Sequence, residues 1–290
     1  SSQNPSAAHA IDPRRLAEFF EKTQWYHVLD FDGGLASLGN FDYRNITEKF
    51  GFPARLDGKR ALDVGAADGF FSFEMERRGA SVLAVDTNKF DGSVNFSPSV
   101  AASEHYTKKY INYHAQLAEF PDVFTSAGVP VGHRFLLAKT LKRAAAEYRN
   151  GSIYNLDELG EKFDVIFCGA LIEHLKNPIE AVEQLRGALK PDGLCVISLS
   201  SVLEAKITSS LVVRLLRRLG FTALPADRGL TYNGHVSGGS FFHFFPETFR
   251  QLLLASGFRD VRIHDQFKVR NNVFKQVEVL NNHVIYHCRP

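Results

Sequence analysis

The sequence predicts an α/β fold, a mostly parallel sheet with helices on both faces. Three observations predict it. Short apolar runs alternate with amphipathic stretches from residue 59 onward, the rhythm of strand–helix–strand units. A turn of small residues joins the first such strand to its helix. And 290 residues, 44% of them hydrophobic and 23% charged, supply a full core for one large domain. That composition is too apolar for a disordered chain. No apolar run reaches the roughly 18 residues that a helical membrane span needs.

The elements follow in order. Asp12 caps a first helix, with Pro13 in its first turn, and Leu16, Phe19 and Phe20 share one face of it up to about Lys22. An aromatic, glycine-rich stretch runs from Trp25 to Gly39, then a short helix over residues 44–50 leads to Gly51-Phe52-Pro53. Residues 1–56 therefore read as an N-terminal helical extension, and residues 57–290 as the main domain. The main domain opens with a strand over 60–64, a small-residue turn over 65–69, a helix over 70–78 and a strand over 81–85 that stops at Asp86. A weakly written strand is expected over 145–149 and a strong one over 163–168. A helix begins near Pro178, and a strand over 194–199 follows the Lys190-Pro191-Asp192-Gly193 turn. A helix over 247–256, closed by Gly257, leads to two closing strands over 261–265 and 282–287.

Two stretches break the rhythm. Residues 87–133 and 201–245 leave the carboxyl ends of strands, where open α/β sheets bind ligands. Long connections there act as lids. The first is rich in aromatics. The second opens with an apolar, basic helix around 211–219 carrying Arg214, Arg217 and Arg218. That helix reads as a solvated surface, a contact to RNA phosphates or a contact to anionic lipid. The whole chain, with 34 basic and 32 acidic residues and a net charge of +2, is no nucleic-acid magnet. Cys168, Cys195 and Cys288 are odd in number and far apart. They argue against a disulfide framework, read as small core residues, and fit a reducing cytoplasm. The first residues also lack the basic and apolar regions of a secretory signal.

The strongest chemical signal is Leu62-Asp63-Val64-Gly65-Ala66-Ala67-Asp68-Gly69. A strand ends and a helix begins across small residues, so the chain turns tightly and a ligand can approach the backbone. The helix N-terminus offers free N–H groups to an anion. Asp86 ends the next strand, where an acid accepts hydrogen bonds from a pair of ribose hydroxyls. Together these residues specify a nucleoside-containing ligand.

The spacing of Gly65, Ala67 and Gly69, with Asp63 two positions upstream, resembles the first motif of class I S-adenosylmethionine-dependent methyltransferases. Residues 163–175 resemble that family's fourth motif, and residues 185–199 its approach to the fifth strand. The resemblance covers about residues 57–200. It implies a Rossmann-like class I methyltransferase fold, with a mostly parallel seven-stranded sheet, an antiparallel last strand, the N-terminal extension and the lid insertions. It implies S-adenosyl-L-methionine as cofactor and S-adenosyl-L-homocysteine as product. By the resemblance, Gly65, Ala67 and Gly69 pass the methionine part of the cofactor, Asp63 orients its ammonium group and Asp86 holds its ribose. Tyr154 and Asn155 stand where the family contacts adenine, and Cys168, Gly169 and Ala170 line the far side. Upstream, Trp25-Tyr26-His27, Phe41-Asp42-Tyr43-Arg44 and Gly51-Phe52-Pro53 are similar to the extended N-terminal region of a subgroup. Its members include the tRNA wobble-uridine-modifying enzymes that use carboxy-S-adenosylmethionine. This keeps tRNA as an alternative acceptor, and Arg44 as a candidate partner for a carboxylated cofactor.

Methyl transfer is in-line displacement at an already activated carbon, so the protein mainly aligns the acceptor. A hydroxyl acceptor benefits from a general base. His174 is the candidate, as base or orienter, with Glu173 orienting it or binding substrate. Both residues read equally as structural partners of the following helix. The Glu173-His174 pair is also similar to one in ubiquinone-type O-methyltransferases. Two adjacent residues make no metal site, so no metal is expected. Trp25, Tyr26, His27, Tyr106, Tyr232, His235 and His243 are candidate substrate contacts, aromatic bodies with polar tips suited to an aromatic or sugar-like acceptor. The expected activity is methyl transfer from S-adenosylmethionine to a small molecule, at oxygen of a sugar or secondary metabolite. Modification of tRNA and a non-catalytic, cofactor-binding partner subunit are the alternatives. The sequence carries no signal for oligomeric state.

Overall fold

The computed structural model describes residues 11–87, 116–201, 218, 229–232, 241–273 and 277–290. Helix α1 (Pro13–Lys22) begins as expected, with the Asp12 carboxylate accepting from the Arg14 N–H at 3.0 Å and proline in the first turn. It buries Phe19 and Phe20. Two short strands follow, β1 (Gln24–His27) and β2 (Leu38–Phe41), paired in parallel. Then β3 (Arg60–Val64), α2 (Phe70–Arg77) and β4 (Ser81–Asp86) form the first strand–helix–strand unit. Helices α3 (Pro121–Ser126) and α4 (Arg134–Lys142) precede β5 (Glu147–Asn150). After β6 (Phe163–Gly169) come α5 (Pro178–Ala188) and β7 (Leu189–Ser201). A small ribbon of β8 (Leu230–Tyr232) and β9 (Phe242–Phe244) stands apart from the main sheet. Helix α6 (Pro246–Ala255) leads to the closing pair β10 (Asp260–Val273) and β11 (Val277–Arg289).

The main sheet has nine strands in the order β1-β2-β10-β11-β7-β6-β3-β4-β5. Seven of them, from β5 across to β10, make the expected sheet. The run β5-β4-β3-β6-β7 is parallel, and β11 pairs antiparallel with both β7 and β10. The other two come from the N-terminal segment, which the sequence reading made helical. Beyond α1 it is instead two strands laid on the sheet edge, with Phe41 opposite Asn271 of β10. The helix expected over 44–50 is a single tight turn, Thr47–Phe50, closed by Gly51 in the left-handed region. Four-residue strands leave almost no local signal, and the contact that joins them to the sheet, Phe41 with Asn271, spans 230 residues. The closing strands run 14 and 13 residues, well past the expected five and six.

Alternation along each strand divides the core between two faces. On one lie Ala61, Val82, Ala84, Val165, Phe167, Val196 and Ile285, packed against α1, α2, α3 and α4 through Phe19, Phe71, Phe124 and Phe135. On the other lie Leu62, Val64, Ile166, Cys168, Cys195, Ile197 and Tyr286, packed against α5 and α6 through Val182, Leu185, Phe249 and Leu253. Both faces are covered, as parallel strands require. The three cysteines are free and buried, as small core residues. No described helix is long and apolar enough to cross a membrane.

The described end of the first lid region anchors the extension. Phe120 and Phe124 pack edge-on against Phe19 of α1, at centroid distances of 5.3 and 5.6 Å, and Arg15 holds the Asp122 carboxylate. Tyr106 lies outside the described residues. So do His235 and the expected basic helix, except for Arg218, which is exposed.

Candidate functional site

A cleft opens at the carboxyl edge of the sheet, between the ends of β3 and β6. The strand order reverses there, because the chain proceeds from β3 to β4 on one side and returns as β6 on the other. It holds about 340 Å³ of space between atoms, part of it open to solvent. Of the residues expected at the site it brings together Tyr26, His27, Asp63, Gly65, Gly169 and Ala170. It adds Tyr43, Phe50, Ala66, Phe71, Phe167 and Ser198.

The turn after β3 is built for close approach. Gly65 and Gly69 take φ of 76° and 93°, and a Cβ on Gly69 would lie 2.7 Å from the Phe73 ring. Ala67 and Ala170 also sit in the left-handed region, at φ of 51° and 46°, which residues with a Cβ occupy only when held there. The Ala67 N–H donates to Asp86 Oδ2 at 2.6 Å, and the Ala170 N–H donates to the Ser198 carbonyl at 2.8 Å. These two strained alanines mark the ends of β3 and β6 where a ligand would pass.

Three carboxylates stand around the turn. Asp63 is buried, and the Ser72 hydroxyl donates to it at 2.6 Å. Burial outweighs that bond and pushes its carboxyl up to about 7. Asp86 accepts from the N–H groups of Ala67 and Thr87, and burial pushes it up to about 6. Asp68 is the one whose role the sequence reading passed over. Its Oδ2 accepts the N–H groups of Tyr26 at 3.0 Å and His27 at 2.8 Å, and its Oδ1 bonds the His27 ring at Nδ1. The turn thus locks β1 onto the cleft. An acid between two small residues, just ahead of a run of buried aromatics, was the available signal.

A second polar chain lies on the cleft floor. Ser198 Oγ is 3.1 Å from His283 Nδ1, and the Tyr43 hydroxyl is 3.4 Å from His283 Nε2. Burial pushes the His283 imidazole down to about 4, so it is neutral, and pushes the Tyr43 phenol well up. These partners are 85 and 240 residues apart in the chain, beyond the reach of any local pattern.

Other expected residues stand elsewhere. The Cys168 side chain faces the core of α5 and α6, and burial raises its thiol far above the ordinary value. Trp25 is fully buried among Phe19, Phe20 and Phe31, with its indole N–H on the Thr23 hydroxyl at 3.1 Å, so it is a core residue and not a cleft contact. Tyr154 and Asn155 lie on the turn Ile153–Leu159 after β5. The Tyr154 hydroxyl accepts from the Asn177 N–H at 3.0 Å, and the Asn155 amide donates to Glu158. Arg44, considered for a carboxylated cofactor, is paired with Asp42 and Asp30.

Glu173 and His174 form the turn after β6 and do not line the cleft. Glu173 points inward. Its Oε1 accepts from the Ser200 N–H at 3.0 Å, Oε2 has no partner among the described residues, and burial pushes its carboxyl up. Its carbonyl accepts from the Phe241 N–H, which ties this turn to the ribbon. His243 on β9 is half-buried, and burial, with His174 adding to it, lowers its imidazole. Tyr232 on β8 is exposed. Among the described residues, no group of three or more His, Cys, Asp or Glu is placed to hold a metal ion.

Comparison with known proteins identifies the family and the fold. The sequence pattern of a family described as a methyltransferase domain matches residues 40–263. The chain is 29% identical over 215 residues to a ubiquinone biosynthesis O-methyltransferase of Psychrobacter cryohalolentis, covering 72% of this chain and 63% of that protein. It is 28% identical over 218 residues to the mitochondrial ubiquinone biosynthesis O-methyltransferase of Schizosaccharomyces pombe, covering 72% and 64%. It therefore spans slightly less than two thirds of these relatives' length. The crystal structure of the N-terminal domain of EvdMO1, obtained with S-adenosylhomocysteine and D-fucose, covers 99% of both chains at 12% identity and a TM-score of 0.50, a likeness of fold.

Proposed function

The chain belongs to the methyltransferase domain family, and from that premise we propose that it transfers a methyl group from S-adenosylmethionine to a hydroxyl oxygen of a small molecule. One observation carries the reading. The turn Gly65 to Gly69 is flanked by two carboxyls, the buried Asp63 and the half-buried Asp86, both pushed above the carboxylate range by loss of water, at the crevice where the strand order reverses. A buried acid near neutrality is a poor structural choice and a good receptor for an ammonium or a ribose hydroxyl pair. When bound, the cofactor supplies a methyl group already activated on a sulfonium centre.

The rest is positioning by this chain. Asp63 takes the ammonium group, and Gly65, Ala67 and Gly69 admit the methionine part against the backbone. Asp86 faces the ribose, Tyr154 and Asn155 flank the adenine, and Gly169 and Ala170 wall the far side. Phe50, Phe71 and Phe167 pack together as an apolar wall of the cleft. The acceptor approaches along Tyr26, with Tyr43 deeper in the same aromatic-lined cleft. Glu173 and His174 orient that side through the ribbon carrying Tyr232 and His243. Oxygen as the acceptor atom is supported by the relatives named O-methyltransferases.

The test uses methyl-tritiated S-adenosylmethionine, the purified protein and an extract of the cells it comes from. Label is then sought in small molecules, nucleic acid and protein. Label among small molecules is expected. Label in tRNA would overturn the acceptor class. No label, with S-adenosylhomocysteine binding seen by calorimetry, would make the chain a non-catalytic partner subunit. Asp86→Ala is expected to weaken S-adenosylhomocysteine binding by roughly tenfold or more, the worth of one or two hydrogen bonds to a charged group.

A further inference from the structure

His27 and Asp68 are 41 residues apart in the chain, yet they form one unit at the cleft. The Asp68 carboxylate is 1% exposed and accepts three hydrogen bonds, two from the Tyr26 and His27 N–H groups and one from the His27 ring. Three donors leave that carboxylate one orientation. Because a carboxylate accepts, the bond places a ring proton on Nδ1, which in the neutral imidazole leaves the lone pair on Nε2. Nε2 has no hydrogen-bond partner among the described residues, and it is not a sealed polar atom. The ring is walled by Tyr43, Phe70 and Phe71 at centroid distances of 5.6, 5.4 and 5.7 Å. Behind it, β2 passes so close that a Cβ on Gly39 would collide with the His27 backbone. The imidazole is thus fixed in place, in tautomer and in direction, and it lines the same cleft as Asp63 and Gly65.

We propose that His27 is the general base of the reaction, with Asp68 as its positioning residue, an inference that rests on the reading of the chain as a hydroxyl methyltransferase. His174 does not line the cleft, and the Glu173 carboxylate beside it points inward, with Oε1 on the Ser200 N–H. As a lone pair of the acceptor oxygen forms the bond to the methyl carbon, the carbon–sulfur bond breaks and its electrons remain on sulfur. The hydroxyl proton moves to Nε2, and the resulting imidazolium is compensated by Asp68. That proton passes to solvent after the product leaves. The other titratable groups facing the ring are Asp63 from β3, Tyr26 and Tyr43 from the N-terminal segment, and His283 from β11.

The experiment compares His27→Ala, His27→Gln and Asp68→Asn with the wild-type protein in three measurements. These are S-adenosylhomocysteine binding by calorimetry, label transfer from tritiated S-adenosylmethionine into the small-molecule fraction, and nitrogen-15 spectra of the His27 ring. Both His27 variants are expected to lose roughly 10²- to 10⁴-fold in transfer, the usual worth of a general base, with S-adenosylhomocysteine binding kept. Added imidazole should restore part of the activity of His27→Ala, which leaves a hole, and none to His27→Gln, which fills it. The wild-type spectrum should show the proton on Nδ1, and Asp68→Asn should shift that tautomer while lowering transfer. His27→Gln keeps an amide against Asp68, so it carries the result if the alanine loosens the turn. Transfer by His27→Gln at close to the wild-type rate would overturn the assignment, as would a wild-type spectrum with the proton on Nε2. A wild-type protein that labels no hydroxyl compound refutes the functional reading itself, and the base falls with it. The wild-type arm therefore separates the two failures.

Discussion

Replacing Asp63 with asparagine should make the free protein more stable at alkaline pH and worse at holding its cofactor. The Asp63 carboxyl is 2% exposed and moves from 3.8 to about 7 on folding, because one 2.6 Å bond from Ser72 does not repay the loss of water. An acid raised on folding binds its proton more tightly in the native state. Its ionisation therefore costs stability progressively as pH climbs from the unfolded value to the folded one. At 1.36 kcal/mol per unit the full cost is about 4 kcal/mol above pH 7. Between pH 5 and pH 8 the accrued part is about 3 kcal/mol, since roughly one unit's worth is already spent at pH 5. Asp63→Asn keeps the shape and the Ser72 contact and cannot ionise. Urea unfolding of both proteins at the two pH values measures the effect. The stability advantage of the variant should grow by about 3 kcal/mol from pH 5 to pH 8, while its affinity for S-adenosylhomocysteine falls. A stability difference that does not change with pH would show that Asp63 is ionised throughout, and would refute the argument that burial prepares it for a cation.

The opposite pH dependence belongs to His283. Its imidazole falls from 6.5 to about 4 on folding, so the native state binds fewer protons and stability is lost as pH drops through that window. His283→Gln should remove about 3 kcal/mol of acid sensitivity, read as flatter unfolding midpoints between pH 7 and pH 4. Gly69→Ala forces a Cβ into a residue at φ 93° and against Phe73 at 2.7 Å and Phe135 at 2.9 Å. A loss of about 1–3 kcal/mol from backbone strain alone is expected, with weaker S-adenosylhomocysteine binding. An unchanged melting temperature would mean the turn does not need its glycine.

Much of the fold could be read from residue order because the information is local. The alternation in β3, β4, β6 and β7 assigns Leu62 and Ile166 to one face and Ala61 and Val165 to the other. The small-residue turn and the acids at Asp63 and Asp86 have the spacing that a nucleoside site needs, and the structure gathers Asp63, Gly65, Gly169 and Ala170 around one cleft. The strands β1 and β2 escaped because each is four residues long and the edge that β2 joins is formed by the far end of the chain. Trp25 looked like a site aromatic for the same reason. Its neighbours Phe19 and Phe31 flank it in sequence, but only the docking of α1 closes them over the indole.

Residue order by itself determined the central strands, the turn and the two acids that face it, because each depends on periodicity or backbone freedom within a few residues. Tertiary structure decided which polar groups meet. His27 reaches Asp68 only because β1 lies against the turn, and His283 joins Ser198 to Tyr43 only because β11 returns beside β7. A hydrogen bond across 41, 85 or 240 residues leaves no periodic trace, since chain entropy is overcome by the whole core and not by the two residues that happen to touch.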